Sequence, residues 1–294
     1  MNPLDESQRA STASRYRAFR RLHEQGCFVI PNPWDAGSAR YLQHLGFPAL
    51  ATTSAGFAFS RGVPDSEEAV TLEHNLAHIA DIAASVDVPV NADFASAYAV
   101  DPSEVFANVT RCVATGVAGL SIEDATGDPM APLHDLSLSI ERVRAARHAI
   151  DRSGNDVLLT ARAECYHVGH PDPFRETVRR LQAYAQEGAD VLFAPGPQKR
   201  DEIEALVEAV HPKPLNLLVV RDIGLRVSDI EKLGVRRISV GGALALAAWQ
   251  GFMRAAETLR NDGSFAPLAE VAPYPKLNGL FATDFEVRRS HQQT

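Results

Sequence analysis

Short, almost wholly apolar runs alternate along the chain with amphipathic stretches. The runs are CFVIPN (27–32), ALATTS (49–54), PVNADF (89–94), GLSIED (119–124), VLLTARAE (157–164), VLFAPG (191–196), PLNLLVV (214–220) and RRISVGG (236–242). Runs this short and this continuous predict strands buried on both faces, hence a parallel sheet. Between them, apolar positions recur at helical spacing over 68–85, 102–115, 138–152, 173–187, 199–210 and 227–233, and a last helix is expected over 243–260. Asp101-Pro102 and Asp172-Pro173 read as helix starts, with Asp as the cap and Pro in the first turn. Eight strand–helix pairs in about 250 residues predict a closed (β/α)8 barrel. An open doubly wound sheet would carry GxGxxG after an early strand, and none is present. The barrel is assigned to residues 1–265, with an extra N-terminal helix over 3–25. Residues 266–294, with Pro267, Pro273 and Pro275, read as an irregular C-terminal extension.

Composition narrows the setting. The 294 residues are 45% hydrophobic, enough for a large core. Net charge is −8, from 37 acids against 29 Lys and Arg, without a basic block, so nucleic acid is not an expected partner. Cys27, Cys112 and Cys165 form no CxxC pair, which suits reduced thiols and a cytoplasmic protein. No run reaches the roughly 18 apolar residues of a membrane span, and the first residues lack the apolar core of a signal peptide.

Barrel chemistry sits at the C-terminal ends of the strands. Strand three ends at Asp93, strand four at Glu123-Asp124 and strand five at Arg162-Ala163-Glu164. Asp93 and Glu123 on adjacent strands could share one divalent cation, since Mg2+ takes one or two carboxylates and keeps several waters. Arg162 offers a planar fork for a carboxylate or phosphate; the alternative is an internal salt bridge with Glu123 or Glu164. Ser54 lies in a Ser-Ala-Gly turn where backbone can approach an anion, or in a plain connecting turn. Asp65 could reach the metal through water or cap the next helix. The segment 125–135, ATGDPMAPLHD, is long enough to fold over the mouth. Its Asp128 and His134 could act as acid or base when it closes, or remain solvated. Cys165 is expected to be an inert thiol, and Tyr166, His167 and His170 make no recognisable metal spacing.

NPWDAGSAR (32–40), TTSAG (52–56), GVPD (62–65), VNAD (90–93), GVAGLSIEDATG (116–127), LLTARAE (158–164) and RRISVGGAL (236–244), in this order, resemble the isocitrate lyase / phosphoenolpyruvate mutase superfamily over about residues 15–265. The resemblance implies a barrel whose eighth helix is exchanged between subunits of a dimer or tetramer. It implies Mg2+, with Mn2+ as a substitute, and a small anionic 2-oxo acid substrate. By the same resemblance Asp93 and Glu123 match metal-site acids and Asp65 an outer acid of that site. Ser54, Ala55 and Gly56, preceded by Thr53, match the turn that holds the substrate, and Arg162 the anion-binding arginine. Asn216 on strand seven completes the expected substrate contacts, and Arg162, Ser54 and His134 the catalytic set.

The departures from the family pattern are informative. A second acid two residues after the first is replaced by Ala95, and the glycines that follow by Ala97 and Ala99. The Lys-Lys-Cys-Gly-His lid of the isocitrate-type lyases is absent from 125–135. The expectation is therefore a Mg2+-dependent carbon–carbon lyase or decarboxylase for an oxaloacetate-like 2-oxo dicarboxylate, working through an enolate. Phosphorus–carbon chemistry on a phosphonopyruvate-like acid and a non-catalytic 2-oxo acid binding barrel are the alternatives.

Overall fold

A computed structural model describes residues 6–291. Its elements run α1 (Glu6–Leu22), β1 (Phe28–Ile30), α2 (Ala36–His44), β2 (Leu50–Ala51), α3 (Ser54–Ser60), α4 (Leu72–Ser85), β3 (Val90–Asp93), α5 (Pro102–Val113), β4 (Gly119–Glu123) and α6 (Leu136–Ser153). They continue with β5 (Leu158–Arg162), α7 (Pro173–Gln186), β6 (Val191–Phe193), α8 (Arg200–Val210), β7 (Leu215–Leu218), α9 (Val227–Lys232), β8 (Arg237–Ser239), α10 (Ala243–Asp262), a 3-10 turn (Ala266–Glu270) and α11 (Tyr274–His291). All eight strands are parallel, and each pairs with its neighbour in sequence from β2 to β8, with β1 pairing back onto β8. The seam between β1 and β2 is bridged by Ala51 N–H donating to Pro31 O (3.0 Å) and Asn32 Nδ2 donating to Thr52 O (2.9 Å). The architecture is the expected (β/α)8 barrel.

The strands form where the apolar runs predict them because their side chains are buried on both faces: Leu120, Leu159, Val191 and Leu192 are fully enclosed. The capping signals work as read. Asp101 accepts from Ser103 N (2.7 Å) and Asp172 from Arg175 N (3.4 Å), each ahead of a proline in the first turn. α1 carries Phe19 under the barrel. A Cβ on Gly119, which opens β4, would lie 2.6 Å from Phe19 Cε1 and 2.7 Å from Asn91 Oδ1, so the glycine makes room for the ring that closes the N-terminal end.

Four elements differ from expectation. α1 is shorter than 3–25 and gives way to a turn at His23 and Glu24, whose amides donate to Arg20 O and Arg21 O; residues 3–5 lie outside the described residues. α4 starts at Leu72 instead of 68, since Thr71 accepts from His74 N and Ser66–Val70 close tight turns first. The short helix α3 was not anticipated; Thr53 caps it, accepting from Gly56 N (3.3 Å). The C-terminal segment is mostly helical: Pro273 and Pro275 stand at the start of α11, where a missing N–H costs nothing, so they mark a beginning rather than an irregular chain.

Contacts divide the chain into one compact unit running to Ala245 and a second from Leu246, which holds the rest of α10, the 3-10 turn and α11. In the second unit Phe252, Phe265 and Tyr274 are exposed. No helix among the described residues is long and apolar enough to cross a membrane.

The packing of Phe19 on Gly119 is testable. Gly119→Ala should lower stability by about 1–3 kcal/mol, the usual cost of overpacking, read as a fall in the thermal midpoint. An unchanged midpoint would mean that the Phe19 ring yields freely and does not seal the barrel.

Candidate active site

The strand ends converge on a cavity of about 200 Å3 at the C-terminal mouth. Drug-sized pockets run to roughly 300–1,000 Å3, so this one suits a small ligand. Thr53, Ser54, Ala55, Asp65, Asp93, Arg162 and Asn216 line it, together with His167 and Arg237.

Asp93 is fixed from three sides. Its N–H donates to Thr52 Oγ1 (2.8 Å), its Oδ2 accepts from Ser54 N (3.1 Å), and its carbonyl accepts from Asn75 Nδ2 (3.3 Å). The ends of β2 and β3 are thereby stapled through the residue expected to matter most. Asp65 is not a helix cap, since Thr71 caps α4; it shares the cavity wall with Asp93. Enclosure and the like charge of Asp93 push its carboxyl above the ordinary range, against a hydrogen bond from Ser54.

Arg162 stands among three carboxylates. Nη1 is 3.2 Å from Glu123 Oε2 and 3.9 Å from Asp93 Oδ1, and Nε contacts Glu164 Oε1. Its guanidinium also lies 5.1 Å from the centroid of the Phe193 ring. Burial alone would weaken the cation, but Glu164, Glu123 and Asp93 hold it fully protonated. Three acids against one base leave an excess of negative charge, and burial pushes Glu123 and Glu164 up, with Arg162 pulling the other way. Both readings of Arg162 made from the sequence thus meet in one place: it is salt-bridged, and it faces the cavity.

The expected metal site is only partly assembled. Among the described residues no three His, Cys, Asp or Glu side chains gather closely enough to hold an ion. Glu123 is turned onto Arg162 and does not line the cavity. Asp93 and Asp65 do line it, and hard carboxylate oxygens beside open space are the donors that suit Mg2+, which completes its shell with water and substrate.

The loop 125–135 does not bring its titratable groups to the mouth. It folds on itself, with a bridge between Ala125 and Leu133, Thr126 Oγ1 donating to Ala131 O (2.6 Å), and Asp128 Oδ1 accepting from Met130 N (2.8 Å). His134 is buried away from the cavity: its Nε2 is 2.8 Å from Arg142 Nη1, and burial and that charge push its imidazole down. Gly56 also stays off the cavity wall; a Cβ there would strike Thr53 and Trp34. Asn216 reaches the cavity with both ends of its amide engaged, Nδ2 donating to Ser239 Oγ (2.9 Å) and Oδ1 accepting from Arg237 Nε (2.7 Å). Cys165 is buried, and burial pushes its thiol up to about 11, so it stays protonated.

Three residues without a role assigned from the sequence stand at or beside the cavity. His167 lines the cavity from the loop after β5. Arg237 lines it from β8. Arg142, fully buried on α6, donates to Ala99 O (2.7 Å), Glu123 O (3.4 Å) and Ser96 O, tying the loop after β3 to the end of β4. That loop is unusual, because Ala95, Ala97 and Tyr98 all have positive φ (47°, 62° and 54°). The position of the missing second acid therefore keeps a left-handed backbone that an L side chain adopts at a cost of about 1–2 kcal/mol per residue.

A carboxylate–arginine cluster beside a small cavity at the mouth of a (β/α)8 barrel lies where barrel enzymes carry their chemistry. Residues 19–260 match the family described as phosphoenolpyruvate phosphomutase, and the chain belongs to it. A solved structure from Burkholderia cenocepacia J2315, provisionally a lyase/mutase, is 43% identical with a TM-score of 0.89, over 92% of this chain and 98% of that one. The structure of 2,3-dimethylmalate lyase, a member of the PEP mutase/isocitrate lyase superfamily, is 27% identical with a TM-score of 0.82, over 97% and 99% of the two chains. Oxaloacetate decarboxylase of Paraburkholderia xenovorans is 28% identical over 68% of this chain and 67% of its own. The protein is a lyase of this superfamily.

The elevated carboxylates give a pH signature. A carboxylate whose pKa is higher folded than unfolded stabilises the fold below its unfolded value, about 4.3 for Glu, and that stability is lost as pH rises through the folded value. Glu123→Gln, which cannot ionise, should therefore gain stability relative to the parent as pH rises from 4.5 to 8. Thermal melts of both metal-free proteins across that range check this; parallel curves would mean that Arg162 fully compensates Glu123.

Proposed function

We propose that the protein breaks a carbon–carbon bond of a small 2-oxo dicarboxylate of the oxaloacetate type, with release of CO2 as the simplest case. The observation that carries this reading is the shared cavity wall of Asp93, Asp65, Ser54 and Arg162 in a chain of this family. Asp93, with Asp65 beside it, would hold a Mg2+ or Mn2+ ion, which supplies Lewis-acid charge to the oxo and carboxylate oxygens of a bound substrate.

The chain's own groups then have defined tasks. Arg162, held by its three carboxylates, presents fixed positive charge where negative charge develops on the substrate, which preorganises the site without reorganisation during reaction. The electron pair of the broken bond passes through the former carbonyl to give an enolate, and a proton must then reach the carbon that lost CO2. We assign its delivery to His167, the imidazole that lines the cavity, in place of His134, which is turned away. The Ala51–Ala55 wall and the Phe193 ring limit the water around the reacting carbon.

Turnover of oxaloacetate followed by 1H NMR, with spontaneous decay subtracted, tests the reading. It should require added Mg2+ after EDTA treatment and fall at least about 100-fold in Asp93→Ala. His167→Gln should lower kcat by about 100-fold with little change in KM, the usual size of a general acid–base contribution. Undiminished turnover in Asp93→Ala would overturn the assignment. A phosphorus-containing product from phosphonopyruvate in 31P NMR, without turnover of oxaloacetate, would replace it with phosphorus–carbon chemistry.

A further inference from the structure

Arg237 is a buried cation without an anion. It opens β8 with 3% of its surface exposed, and its guanidinium reaches across the inside of the barrel. Nε donates to Asn216 Oδ1 on β7 (2.7 Å), Nη2 to Thr160 Oγ1 on β5 (3.1 Å), and Nη1 lies 3.4 Å from His23 Nε2. No carboxylate among the described residues lies within salt-bridge distance of it. Its one ionisable neighbour is held neutral: burial and the charge of Arg237 push the His23 imidazole down to about 3, and His23 Nδ1 is 2.8 Å from Phe19 O. Burial pulls Arg237 down to about 9, which still leaves it charged at neutral pH.

The other buried arginines are treated differently. Arg162 has Glu123, Glu164 and Asp93 around it, and Arg180 has Asp124 and Glu176. Arg142 lacks a carboxylate but gives its donors to three backbone carbonyls and does not line the cavity. Arg237 alone of these combines neutral partners with a place on the cavity wall. A guanidinium carries five N–H donors. Three are directed at Asn216, Thr160 and His23, which leaves one on each terminal nitrogen. A buried charge is ordinarily paired, and the cavity that Arg237 lines is open space from which an anionic partner can reach it.

The strand register sets the two cations apart. Arg162 pairs with Phe193, Phe193 with Asn216 and Asn216 with Arg237, so both arginines lie on one row of residues, three strands apart, and enter the cavity from different walls. We propose that Arg237 is a specificity-determining residue that binds the second carboxylate of a small dicarboxylate, while the first is held at the Asp93–Arg162 side. This rests on the reading of the cavity as the active site and deepens it: the preferred ligand is a dianion with two separated carboxylates, and monocarboxylates are poor ligands.

Malate and lactate test the point, because they differ only in the second carboxylate and neither loses CO2 spontaneously. By isothermal titration with Mg2+ present, the parent protein should bind malate at least about 10-fold more tightly than lactate. Arg237→Gln should bind the two within about 2-fold of each other and keep its affinity for lactate. Should that variant not fold, NMR of the parent's slowly exchanging guanidinium protons decides: the Arg237 signals should shift with malate and not with lactate. A parent without preference for malate, a preference that survives in Arg237→Gln, or Arg237 signals that ignore malate would each overturn the proposal. Oxaloacetate turnover is scored separately. A malate preference that depends on Arg237 without turnover would remove the lyase reaction and leave this site standing; turnover with a preference independent of Arg237 would do the reverse.

Discussion

Three carboxylates share the guanidinium of Arg162, and the mouth of the barrel is organised around that imbalance. A parallel barrel gathers all its strand ends at one rim, so acids that close β3 and β4 and follow β5 cannot avoid one another. Arg162 keeps Asp93, Glu123 and Glu164 within reach of one cation, and the strand ends beside it are pinned by further hydrogen bonds, as from Ser54 N to Asp93. Separating a buried pair by removing one partner typically costs about 3–5 kcal/mol. The cluster is thus a structural joint, and a change in any acid reaches the other two through the arginine.

The sequence made the barrel legible because strands buried on both faces leave unbroken apolar runs, and it made Asp93, Glu123 and Arg162 legible because a charge at the end of such a run has few structural uses. Arg237 was hidden for the opposite reason. It begins its strand beside Arg236, whose Nη1 donates to Gly26 O at the exposed end of the barrel, and two adjacent arginines read as a solvated edge. Arg142 looks like any arginine on an amphipathic helix until the loop it holds is seen. That His134 turns inward onto Arg142 while His167 lines the cavity depends on how two loops turn, which neither periodicity nor spacing encodes. The prolines near 273 misled because Pro marks helix starts as readily as irregular chain.

Ala95 carries a double meaning. It stands where the resemblance noted in the sequence leads one to expect a second acid, and the backbone around it is left-handed at Ala95, Ala97 and Tyr98. Strain of this kind persists where surrounding contacts over-determine the chain. Those contacts are visible: Arg142 takes the carbonyls of Ser96 and Ala99, and Glu67 accepts from the amide and hydroxyl of Ser96 (both 2.8 Å). The loop shape is kept by the residues around it, independently of which side chain stands at position 95.

The ring of Phe19 against Gly119 closes the far end of the barrel, and that closure turns the cavity into a room with one door. Whatever enters at the C-terminal mouth must also leave there. Under the proposed chemistry, a small neutral fragment would slip out ahead of a charged one held by Arg162 and Arg237. Traffic through the site would then be ordered by charge, with the more anionic product the last to go and the one best placed to bar the next arrival.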